Sequence, residues 1–157
     1  MPSAIEAAMT ALEQSGLGVL ARGSAWLYPL ANLAHVLGAA LLVGAIATFD
    51  VQLLRGAPHP RTTYRAAMPV AAIGLALQVL SGIVLLAADA MPVMGNAAFQ
   101  FKMAMFALGL VNVAAFYWRY GGALKADAPL DRGTGFAAVS LASWVLVLLA
   151  GRATAYI

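Results

Sequence analysis

Four apolar runs dominate this sequence, and each is long enough to cross a bilayer, where about 20 apolar residues are needed. They cover positions 26–54, 66–88, 101–118 and 135–150. The first has an uncharged centre from Val36 to Phe49, and the second has Gln78 and Ser81 as its only polar side chains. The third contains Asn112, and the fourth contains Ser140 and Ser143. The runs are continuous rather than alternating and rich in Ala and Leu, which predicts helices; in lipid an open sheet leaves its backbone unpaired, whereas a helix satisfies its own. Only 10% of the residues are charged, against about 25% in a soluble domain. The connections hold turn-forming residues: Gly56, Pro58 and Pro60, then Pro92, Gly95 and Asn96, then Gly121, Gly122, Pro129 and Gly133. Short links favour antiparallel neighbours. The expected fold is an all-α membrane protein, an antiparallel four-helix transmembrane bundle over residues 26–157.

Residues 1–25 form a separate amphipathic segment. Ile5, Met9 and Leu12 share one helical face, while Glu6 and Glu13 lie elsewhere. The segment is too short and polar to span, and lacks the basic and apolar regions of a signal peptide. It reads as an interfacial helix, ended by Ser15 to Gly18, with Trp26 and Tyr28 marking the entry to the first span. Orientation follows from the cations. Arg55, Arg61, Arg65, Arg119, Lys125 and Arg132 flank the first and third connections; Arg22, Lys102 and Arg152 lie on the opposite side. The excess predicts that those two connections are cytoplasmic. Both termini then face the periplasm of a bacterial inner membrane.

The net charge of +3 is spread over scattered cations, so the expected partner is the lipid bilayer rather than nucleic acid. Cysteine is absent, which excludes disulfides, Fe–S clusters, thiolate zinc and cysteine catalysis. No phosphate-binding loop, H-E-x-x-H pattern or paired buried carboxylate occurs, and neither Ser81 nor Ser143 has an evident base. The chain has no stand-alone catalytic motif; electron transfer, transport or an accessory role remain.

Polar groups inside a bilayer are costly and point to function. His35 lies on a stripe with Tyr28, Asn32, Ala39, Leu42, Ile46 and Asp50. It reads either as a metal or haem ligand or as a buried histidine bonded to Asn32, Tyr28 or another span. His59 sits in a connection, too far along the chain to complete a site with His35. Lys102 opens the third span at the level of His35 and Asp89. It is expected either to pair with Asp89 or to receive an anionic group such as a haem propionate. Gly38 and Gly82 leave room for a helix or a flat ring. Met91, Met94, Met103 and Met105 gather at the same end, either as packing that fills gaps or as soft thioether ligands. Asn112, Ser140 and Ser143 are expected to bond between helices, and Tyr117, Trp118 and Tyr120 to form an aromatic belt.

The residues Trp26-Leu27-Tyr28-Pro29, Asn32, His35, Gly44, Asp50, Leu53 and Leu54, then Ser81-Gly82, Asn96, Phe99, Lys102 and Asn112, carry a resemblance. The chain resembles a family of small four-span bacterial inner-membrane proteins over residues 26–118. It is more loosely similar to the membrane domain of copper resistance protein D and to b-type cytochrome membrane subunits. Where the looser pattern has an acidic residue three before the histidine, this chain has Asn32. The resemblance implies haem-mediated electron transfer or copper handling. In the first case His35 is an axial ligand of haem b, Lys102 meets a propionate, and a Met or a second chain's His35 supplies the other ligand. In the second, His35, Met91 and Met94 form a copper path. The remaining expectation is a cofactor-free accessory subunit, in a homodimer or a larger membrane complex.

Overall fold

The computed structural model describes residues 3–57, 60–126, 128–130, 133–154 and 156; His59 and Arg132 lie outside them. Among the described residues all regular structure is helical: α1 (Ala4–Glu13), α2 (Gly16–Gly23), α3 (Leu27–Leu54), α4 (Arg61–Ala88), α5 (Ala90–Gly95), α6 (Ala97–Ala126) and α7 (Thr134–Ala153). Helices α3, α4, α6 and α7 are the four expected spans, each long and apolar enough to cross a membrane. They alternate in direction. The upper end of the bundle carries α1, α2, α5 and the last turn of α7; the lower end carries the ends of α3 and α6 and the starts of α4 and α7. Helices α4 and α6 overrun the apolar stretches at the lower end, because apolar length marks what hydrocarbon can cover and not where a helix stops.

Small residues set the tightest contact. Ala67, Ala71, Gly74 and Ser81 are buried on one face of α4, opposite Ala31, Gly38 and Leu42 on α3. A Cβ on Gly38 would meet the Gln78 amide nitrogen and the Gly74 carbonyl oxygen, both at 2.9 Å. A Cβ on Gly74 would run into the Leu42 backbone. This is the close approach that small residues permit between membrane helices. Helix α7 packs on α3 and α6, but α4 and α6 lack comparable backbone contact among the described residues. The bundle therefore follows the order α4, α3, α7, α6, with a gap between its first and last members.

An aromatic cluster fills the lower end. Phe116 stacks 5.6 Å from Phe49, 5.2 Å from Tyr120 and 5.9 Å from Phe136. Tyr120, expected on the surface belt, is buried here, because it stands one turn from Phe116 on the same face. Trp118 and Tyr117 do face outward. So do Leu33, Val36, Leu80, Val111 and Leu149, more than half exposed in each case. Such an apolar exterior is consistent with lipid contact, and the chain is a multi-pass membrane protein.

The N-terminal segment is two helices rather than one. Ser3 and Glu6 form a capping box on α1, and Ser15 restarts the chain as N-cap of α2. Gly18, expected near a helix end, lies buried inside α2, where a Cβ would meet the Ala87 carbonyl oxygen at 2.7 Å. The Arg22 guanidinium donates to the carbonyls of Ala87, Ala88 and Glu13 at 3.3, 3.1 and 2.8 Å. It thereby satisfies backbone groups that the ends of α1 and α4 leave unpaired.

Candidate functional site

His35 points from α3 into an upper cavity of about 330 Å³ lined by all four long helices. Its orientation is fixed from α4. The Ser81 hydroxyl donates to the Leu77 carbonyl at 2.5 Å, so its oxygen is left to accept. The His35 Nδ1–H donates to that oxygen at 2.9 Å. This network assigns the hydrogen to Nδ1 and leaves the lone pair on Nε2. Gln78 adds a second tie, donating from Nε2 to the His35 backbone carbonyl at 2.9 Å. The sequence left His35 between Asn32, Tyr28 and another span as partners; the partner is another span.

Lys102 completes the polar part of the cavity. Its Nζ lies 3.4 Å from His35 Nε2, and its stem passes Gly151 of α7, where a Cβ would sit 3.6 Å from Nζ. The expected ion pair with Asp89 is not formed among the described residues: Asp89 is exposed at the start of α5, and Lys102 turns inward to His35. The remaining walls are apolar, including Leu42, Phe99, Met103, Phe106 and Trp144.

The other expected site residues fall out differently. Gly82 faces the imidazole, with a Cβ position 3.3 Å from His35 Cε1, so it makes room for the histidine ring. Gly38 serves the α3–α4 contact and is not in the cavity wall. Asn32 is exposed and outside the lining; Ala31, four residues before His35, is the buried position on that turn. Met91 and Met94 stand on α5 and do not line the cavity; Met103 is the thioether that does. Among the described residues, no group of three or more His, Asp or Glu gathers as a metal site.

A second cavity of about 260 Å³ lies below the first, and the two share Leu42 and Trp144. Asp50 opens onto it from α3. It is 4% exposed and is the single buried ionisable carboxyl among the described residues. The Ser140 hydroxyl of α7 bonds to it, yet Asp50 Oδ2 is buried without a partner. Trp144 is 1% exposed, and its Nε1 is also unpartnered. Its ring stands edge-on to Phe106 at 5.7 Å and fits against Gly109, where a Cβ would lie 3.1 Å away. Asn112 bonds between helices as expected, donating from Nδ2 to the Phe136 carbonyl at 3.0 Å. Ser143 does not: its hydroxyl turns back to the Val139 carbonyl in its own helix at 2.8 Å, a local bond that serine favours in apolar surroundings.

Sequence reading placed Asp50 on the His35 stripe without making it a site, and missed Ser81 as the partner of His35. The available signal was the rarity of polar groups in a span. Comparison with known protein families, with curated proteins and with solved structures finds no match for this chain.

Proposed function

We propose that the chain is a membrane cofactor-binding protein that holds haem b in the upper cavity, with His35 as axial ligand through Nε2. One observation carries this reading. Ser81 consumes the Nδ1 hydrogen of His35 and so presents the Nε2 lone pair to an apolar cavity. A bare metal ion needs about three or four protein ligands, and only one imidazole is offered here. Haem supplies its own equatorial donors, so a single proximal histidine suffices. The residues fit the group: an imidazole, an apolar lining, a cation for a propionate, and Met103 as a second soft donor. Lys102 would hold the propionate once its amine swings off Nε2, a movement its flexible four-carbon stem allows. At about 330 Å³ the cavity is at the small end of cofactor sites, and it borders the gap between α4 and α6. When bound, haem supplies a one-electron centre, and the chain's part is to ligate, orient and exclude water. Copper handling through Met91 and Met94 is less well supported, because neither reaches the cavity.

The Ser81–His35 bond has a testable consequence. Ser81→Ala is expected to weaken haem retention by about 10–100-fold, the usual effect of losing a partner that orients a ligand. Titrating haemin into the purified variant measures it. Unchanged affinity would show that Nδ1 anchoring is irrelevant to the site.

We place both termini and the upper cavity on the periplasmic side of a bacterial inner membrane. One observation supports this reading: Lys102 turns inward to His35, which leaves Arg22 and Arg152 as the exposed upper-end cations. Arg55, Arg65, Arg119 and Lys125 remain exposed below. The native chain has no cysteine, so single introduced ones report topology. Gly95 above and Gly122 below are exposed, with nothing near a Cβ. In intact cells a membrane-impermeant maleimide is expected to label Gly95→Cys and spare Gly122→Cys; the reverse pattern inverts the topology.

A further inference from the structure

We infer that the lower cavity is a binding site for a small organic ammonium compound, with Asp50 as its counter-charge. Asp50 lines this cavity from α3, and its Oδ2 is buried without a partner. No Lys, Arg or His lines the cavity among the described residues. A carboxylate taken out of water without a cation is costly, and a bound cation would relieve that cost. Aromatic rings supply the rest of a cation's surroundings. Phe49, Tyr64, Phe116, Phe136 and Trp144 line the same space from all four long helices. The negative faces of such rings attract quaternary ammonium groups. Trp144 Nε1 is a buried donor without an acceptor. The volume of about 260 Å³ is below that of drug-sized pockets, about 300–1,000 Å³, so the ligand is small. The inference goes beyond the haem proposal and stands independently of it, since the two cavities share only Leu42 and Trp144 in their walls.

Choline is the simplest probe of this chemistry. In equilibrium dialysis of the full chain in detergent, radiolabelled choline is expected to bind saturably, with or without haem present. The uncharged shape match 3,3-dimethylbutan-1-ol is expected to compete at least about tenfold less well than unlabelled choline, the factor a desolvated cation–aromatic contact supplies. Asp50→Asn is expected to weaken choline by a similar factor. Absence of saturable binding overturns the inference, as does equal competition by the neutral alcohol; the latter is read on the native chain and does not depend on a variant folding. A lipid headgroup carries the same ammonium group, so the measurement is repeated in nanodiscs. Weaker apparent choline binding in phosphatidylethanolamine than in phosphatidylglycerol assigns the native occupant to a headgroup. Equal binding in both assigns it to a soluble amine.

Discussion

Gly74→Leu is expected to leave no folded protein to extract. At Gly74 even a Cβ collides with the Leu42 backbone and comes within 2.8 Å of the Gly38 carbonyl. These are backbone atoms of α3, which cannot swing aside as a side-chain tip can. Overpacking in a core usually costs about 1–3 kcal/mol. Here one added methyl, as in Gly74→Ala, is expected at or above the upper end of that range, and a leucine must force α3 and α4 apart. The consequence reaches the site, because Ser81 and Gln78 on α4 bond His35 on α3 only at this separation. Gly44→Ala is the matched control: Gly44 lies inside α3 with nothing within 4 Å of a Cβ, and alanine there is expected to be neutral or to stabilise by about 0.5–1 kcal/mol. Size-exclusion profiles and thermal unfolding in detergent distinguish the three variants. A monodisperse Gly74→Leu protein with native thermal stability contradicts this account of the interface.

His35→Gly is expected to lose haem while keeping the fold. Gln78 bonds the His35 backbone carbonyl, not the ring, so the α3–α4 tie survives without the imidazole. The substitution leaves a space beside Gly82 of the size of the ring it removes. Free imidazole added to the purified variant is therefore expected to enter that space and restore haem binding, because the cavity walls that would hold the macrocycle are unchanged. A purely structural histidine gives a different result: no haem in either protein, and an unfolding temperature that falls without any response to imidazole. Haem binding retained by His35→Gly without imidazole would place the ligand elsewhere.

The spans, their order and their helical state were legible in the sequence because hydrocarbon thickness sets a length that composition alone reports. His35 and Lys102 were legible as site residues for the same reason: a charge or imidazole in a span stands out against Leu and Ala. Their contact was not, since a pairing between α3 and α6 depends on how far α7 holds them apart. Helix ends were not legible where charged residues extend α4 and α6 beyond the apolar stretch. Tyr120 and Ser143 were misplaced because residue type was read without helix face: one stands in line with Phe116, and the other turns its hydroxyl onto its own backbone. Asp50 stood on the His35 stripe, but nothing in the sequence assigned it a partner or a cavity. Its burial follows from Phe49, Tyr64 and Phe116 closing around it, which no local pattern announces.

The optical absorption spectrum of the purified full-length protein, made in cells with adequate haem supply, tests the central claim most directly. The account predicts a Soret band in the native chain, with haem bound stoichiometrically, and its loss in His35→Ala. A colourless, iron-free native protein that stays folded and takes up no added haemin would contradict it.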